Sequence, residues 1–227
     1  MDGSFIRAME LLFSGEREVY FIAFTSIKFS LISTVISAVL AVPLGVLLAL
    51  KNFFAKRGVI IVLNSLMALP TVVIGLFVYS FLSRSGSLGH LGILFTPTAI
   101  VIGQSVLILP IISSMVYSGL SKLDPRLRET LVTLGASSKN IFVMILKEGK
   151  TAILSAILAG FGRVIGEVGI SMMLGGNIRW YTRTITTTIA LETSKGEFEL
   201  ALALGVILII LALLINFALH GAVRYGK

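Results

Sequence analysis

At 227 residues, 56% hydrophobic and 13% charged, with a mean hydropathy of +1.00, the chain is too apolar for a water-soluble domain. Its formal net charge of +8 sits in loops between apolar runs, which is the distribution of the positive-inside rule and not of a nucleic-acid-binding face. The lack of cysteine excludes disulfide and thiolate chemistry, and the only histidines, His90 and His220, lie in unrelated places.

Residues 1–20 carry Asp2, Glu10, Glu16 and Glu18 against Arg7 and Arg17, without the basic, apolar and small-residue pattern of a cleaved signal. Met9, Leu11, Leu12 and Phe13 suggest a short interfacial helix there. The spacing then predicts a first membrane span over residues 20–50, in which Lys28 snorkels and Pro43 and Gly45 introduce a kink. A second span is expected over 59–82, interrupted by Asn64, Ser65 and Pro70-Thr71, and a third over 96–120 with Gln104 and Pro110 inside. Residues 151–174 and 200–219 supply a fourth and a fifth span.

The long polar interruption is residues 121–150. Asp124-Pro125 is a helix start: a capping side chain, then proline where its missing N–H costs nothing. Arg126, Arg128 and Glu129 share the short helix with Leu127, Leu131 and Leu134. Gly135-Ala136-Ser137-Ser138 breaks that helix with a permissive turn and offers a new cap. A helix, a glycine turn and a second helix on a basic loop suit docking into a groove of a soluble partner; the alternative is an amphipathic connector with none. If 121–150 is inside, the inner segments hold Lys51, Lys56, Arg57 and the six loop cations, while acids concentrate on the other side. That orientation puts the N-terminus and residues 1–20 outside, 175–199 outside and the C-terminus inside.

Glu129, Gly135 and Ile145 resemble, in spacing, the cytoplasmic EAA loop of ABC importer permeases, the coupling helix that inserts into the ATPase subunit. Thr130 and Leu131 stand where that family has alanines, and Lys147-Glu148 where it has Leu-Pro. The resemblance makes Asp124, Arg126, Arg128, Glu129, Gly135, Ala136 and Ser137 the expected ATPase-coupling residues.

Two charges lie near mid-membrane, Arg163 and Glu167, about 18 Å into the fourth span at 1.5 Å per residue. At i,i+4 they share a helix face and neutralise one another. An intramembrane ion points to a functional path, and the alternative here is a structural latch. With Ser171 they are candidates for a translocation gate. Gly162 and Gly166 offer a small-residue face for close helix approach. Thr182, Thr184, Thr186, Thr187 and Thr188 follow Arg179 and Arg183. Their hydroxyls suit a desolvated tetrahedral oxyanion, with Thr184, Thr187 and Thr188 on one helical face. The alternative is an outer loop with an interfacial Trp180-Tyr181 belt.

That segment, above all Gly175-Gly176-Asn177-Ile178-Arg179 and residues 189–196 (IALETSKG), together with residues 69–104, closely resembles the tungstate permeases of ABC importers, a branch related to molybdate and sulfate permeases. The resemblance spans nearly the whole chain. It implies one all-α integral membrane domain over 1–227 with five transmembrane helices, the type I ABC importer permease fold and a place in the prokaryotic inner membrane. It also implies a homodimer, two copies of an ABC ATPase carrying ATP and magnesium, and an extracytoplasmic oxyanion-binding protein. In this chain it implies no catalytic residue, cofactor or metal; no Gly-x-x-x-x-Gly-Lys-Ser/Thr phosphate loop occurs. A molybdate or other oxyanion permease, or an ATP-independent channel or secondary transporter, is the alternative.

Overall fold

The computed structural model describes residues 2–224, and every regular element among them is helical. The elements are α1 (Asp2–Phe13), α2 (Arg17–Leu50), α3 (Lys56–Met67), α4 (Thr71–Leu82), α5 (Pro97–Leu120), α6 (Pro125–Thr133), α7 (Ser138–Glu148), α8 (Lys150–Ile165), α9 (Gly169–Gly175), α10 (Ile185–Lys195) and α11 (Phe198–Arg224). Three of them, α2, α5 and α11, are long and apolar enough to cross a membrane alone, and the described residues give five spans when each bent helix pair counts as one.

The second and fourth expected spans differ from the continuous helices that hydropathy suggests. The second is α3 and α4, which meet at 102° across Ala68, Leu69 and Pro70. Proline disfavours helical geometry at the residue before it, so Leu69 ends the run and Pro70 opens the next. The fourth is α8 and α9, bent by 62° across Gly166, Glu167 and Val168. The expected outer segment 175–199 is also no open loop: it contains α10, with Ile185 and three threonines buried. At 34 residues α2 runs about 51 Å at 1.5 Å per residue, well beyond a hydrocarbon core of about 30 Å.

The central contact is α2 against α5. Ser26, Ser30, Ser33, Ser37, Ala41 and Gly45 make one narrow stripe along α2, all of it buried. Small side chains bring two helix backbones close, which is how membrane helices associate when lipid removes any hydrophobic drive. A Cβ at Gly45 would lie 2.7 Å from Val116 Cβ and 2.8 Å from the Ser113 carbonyl. Hydroxyls in the stripe then bond across: Ser33 Oγ donates to Gln104 Oε1 at 3.1 Å, Ser37 Oγ to the Ser105 carbonyl at 3.0 Å, and Ser105 Oγ to the Ser33 carbonyl at 3.3 Å. Around this seam pack Ile108, Ile112, Val116, Ala156, Val164, Ile170 and Leu174, all buried.

The small-residue contacts of α8 also differ from expectation. Gly160 meets Ile112 of α5, and Gly162 meets Ile215 of α11, whereas Gly166 has open space where a Cβ would go and ends the helix. At the N-terminal end α1 lies on α11 through buried Ala8 and the ion pair of Arg7 with Glu199.

The packing of α9 generates a stability prediction. A Cβ at Gly103 would sit 2.3 Å from Leu174 Cδ1 and 2.6 Å from Ile170 Cγ2, while one at Gly205 meets nothing within 4 Å. Gly103→Val should therefore destabilise the fold by about 1–3 kcal/mol through overpacking, and Gly205→Ala should be neutral or stabilising. Thermal unfolding of the two purified variants in detergent checks the contrast.

Candidate functional site

The break between α8 and α9 is organised by Glu167. Arg163 Nη1 donates to Glu167 Oε2 at 3.0 Å, across one helical turn. Glu167 Oε1 accepts the Ile170 N–H at 3.2 Å and so caps the start of α9. The Glu167 carbonyl, left without a helical partner by the break, accepts Thr186 Oγ1 at 2.7 Å. The two partners are unequally placed: the Glu167 side chain is 3% exposed and that of Arg163 42%. A buried carboxylate is tolerated only when paired and hydrogen-bonded, and both conditions hold. One side of the arginine is spent on Glu167, and the rest of the guanidinium faces outward.

The other break comes to the same place. A Cβ at Gly169 would lie 3.1 Å from Val72 Cγ2 and 3.3 Å from both Thr71 Oγ1 and Glu167 Oε1. A Cβ there would press its neighbours by a few tenths of an ångström, so glycine lets the first residues of α4 and α9 meet closely beside the charged pair.

The threonine side chains are buried and hydrogen-bonded within the chain. Thr184 caps α10 in a reciprocal capping box with Thr187. Thr187 Oγ1 also lies 2.9 Å from Asn177 Oδ1, Thr188 Oγ1 donates to the Thr184 carbonyl at 2.6 Å, and Thr182 Oγ1 donates to the Gly175 carbonyl at 2.5 Å. All are buried, and a hydroxyl has one proton to give, so these donors are committed to the protein. Their spacing reports how a buried α10 is tied to the α8–α9 break. Ser171 is likewise buried and accepts from Gln104 Nε2 at 3.4 Å. The structure thus brings Arg163 and Glu167 together, joins Thr186 to them, and sets Ser171, Thr184, Thr187 and Thr188 behind them as framework.

Arg179 and Arg183 converge on Glu18 at the start of α2, and Arg179 also lies over the Trp180 ring. The hydrogen bond from Arg179 to Glu18, and then the attraction between their charges, raises the arginine pKa above its ordinary value. It stays protonated at any physiological pH, and these cations serve as a clamp between α2 and the 176–184 loop.

The residues of the expected coupling loop lie elsewhere. Asp124 caps α6 by accepting the Arg126 N–H at 2.9 Å, Ser137 caps α7 by accepting the Asn140 N–H at 3.3 Å, and Gly135 turns the chain between them at φ +74°. Ala136 is half-buried, Arg126 and Glu129 are exposed, and the Arg128 side chain lies outside the described residues. Leu134, 76% exposed, marks the tip. From Lys150 to Arg163 the continuous α8 separates loop and charged break by roughly 20 Å at 1.5 Å per residue.

Residues 41–225 match the family described as the binding-protein-dependent transport system inner membrane component. The tungstate uptake system permease protein TupB of Peptoclostridium acidaminophilum is 39% identical over 216 residues, covering 95% of each chain. The tungstate uptake system permease protein TupB of Campylobacter jejuni is 35% identical over 220 residues, 95% of this chain and 90% of that one. Among solved structures, a chain of the inward-facing MetNI methionine ABC transporter superposes with a TM-score of 0.73 at 21% identity, covering 90% of this chain and 94% of the other. The all-helical architecture is that of type I ABC importer permeases. The chain is a multi-pass inner-membrane protein and belongs to the family of inner membrane components of binding-protein-dependent transport systems.

Proposed function

We propose that this chain is the transmembrane subunit of an ATP-driven importer for tungstate. The observation that carries the substrate is the similarity, along almost the full length, to two tungstate uptake permeases. The half-exposed Arg163 at a helix break supports it chemically, because an oxyanion crossing a membrane needs a cation that is neither fully buried nor fully neutralised. Two copies of this chain form a homodimer with substrate passing between them, two ATPase subunits bind ATP and magnesium, and an extracytoplasmic protein delivers the oxyanion. The N-terminus lies outside, and the 121–150 loop lies inside and carries ATPase closure to the spans.

Magnitudes explain why Glu167 stands beside Arg163. A lone cation about 4 Å from a dianion attracts it by about 8 kcal/mol at an effective dielectric of about 20, enough to trap it. A carboxylate some 7 Å from the dianion returns roughly half of that, leaving a contact weak enough to release. Tungstate and molybdate carry the same charge and nearly the same size, so this contact reads charge, and the binding protein chooses between them.

The charged pair and the loop each give a test. Arg163→Ala should lower radiolabelled tungstate uptake at least tenfold in proteoliposomes holding the whole assembly. Glu167→Gln keeps an oxygen for the Ile170 N–H but removes the counter-charge, so it should slow release or leave the resting gate leaky. The double variant should recover part of the loss, because the pair is coupled. Wild-type uptake by both single variants would reduce the pair to packing. For the loop, proline cannot adopt the φ of +74° at Gly135, so Gly135→Pro should distort the α6–α7 turn. It should abolish transport-coupled ATP hydrolysis while the chain still inserts; normal coupling in that variant would exclude the loop as the transmission element.

A further inference from the structure

The inner end of α2 and the first turns of α7 leave a slot that neither the charged break nor the loop tip uses. Leu47, Leu50, Ile141 and Phe142 form its walls, Lys51 and Ser138 its rim, around a cavity of about 290 Å³. Leu47 is 42% exposed, so the slot opens sideways from α2. Its rim lies where the apolar run of α2 gives way to the polar segment Lys51–Gly58, which contains Lys51, Lys56 and Arg57 and no acid. Lys56 is engaged over the Tyr117 ring and with Asn52, whereas Lys51 and Arg57 are exposed and make no ion pair among the described residues. Phe54, in the same segment, is fully exposed.

These features select an occupant. An apolar slot in a membrane chain does not favour water, and a soluble anion would have no use for its walls. A helix about 10 Å across would find room for less than one turn in 290 Å³, which argues against a helix of a second copy. A thin hydrocarbon chain fits, and the uncompensated cation at its mouth complements a phosphodiester. We propose that the groove binds one anionic phospholipid, an acyl chain between α2 and α7 and the headgroup on Lys51. Since α7 is the arm by which the 121–150 loop rejoins the spans, the bound lipid braces that arm. The inference needs only the inner-membrane location, not the identity of the transported anion.

The test is native mass spectrometry of the full chain purified in detergent, offered phosphatidylglycerol and phosphatidylcholine with identical acyl chains. The expected result is several-fold better retention of phosphatidylglycerol. Lys51→Glu and the milder Lys51→Gln should both erase that preference, and Leu47→Trp, which fills the slot, should lower retention of both lipids. Thermal unfolding establishes that each variant is folded, and soluble glycerol phosphate should displace nothing. Equal retention of the two lipids by the wild type, or an unchanged preference in both Lys51 variants, overturns the proposal. So does displacement by glycerol phosphate, which would make the rim a plain anion site. Disulfide linkage of two copies through Leu47→Cys would give the slot to a second chain and also overturn it.

Discussion

A carboxylate that is 3% exposed inside a membrane span is the constraint on which this fold turns. Left without partners, it would cost several kcal/mol, a large share of a domain's margin of stability. Glu167 avoids this by using every acceptor it has: one oxygen for Arg163, the other for the Ile170 amide, and its carbonyl for Thr186. Those three bonds fix where α8 stops, how α9 starts and where α10 docks. The ion pair is therefore both a latch and the source of the one half-exposed cation in the fourth span. The two readings of this pair that its spacing leaves open do not exclude each other in the geometry.

From that break outward the molecule divides its labour. The seam of small and hydroxylated residues between α2 and α5 gives a rigid body, with hydrogen bonds satisfied internally as lipid demands. Against it α9 is held by glycine contacts at Gly75 and Gly103 that leave little room for independent motion. The loop at 124–148 is different: short helices capped by Asp124 and Ser137, with an exposed apolar tip suited to a partner surface.

Hydropathy alone made the membrane class and the approximate spans legible, because runs of about 20 apolar residues have few other uses. Caps were equally legible at Asp124 and Ser137, being local: the side chain bonds an amide two or three residues on. What the sequence hid was tertiary. Pro70 was visible as an interruption and Gly166 only as part of a small-residue face, and a hydropathy average cannot distinguish a kink from a 102° turn. Thr184, Thr187 and Thr188 looked like a donor set because the chain does not reveal that Asn177, Gly175 and Glu167 stand ready to bond their neighbourhood. The serine stripe of α2 was readable as a period of three and four, yet apolar counting masks it, and its meaning depends on Gln104 lying opposite. Thr186 as the third support of the break had no local signal.

The measurement that bears most directly on the account is tungstate accumulation in proteoliposomes containing this chain with its ATPase and binding protein, with ATP supplied at the ATPase face. The account predicts that tungstate is concentrated against its gradient only when ATP and the binding protein are both present, and that vesicles without ATP hold their gradient. Downhill tungstate flux through this chain alone, indifferent to ATP and to the binding protein, would contradict it and make the charged break an open anion channel.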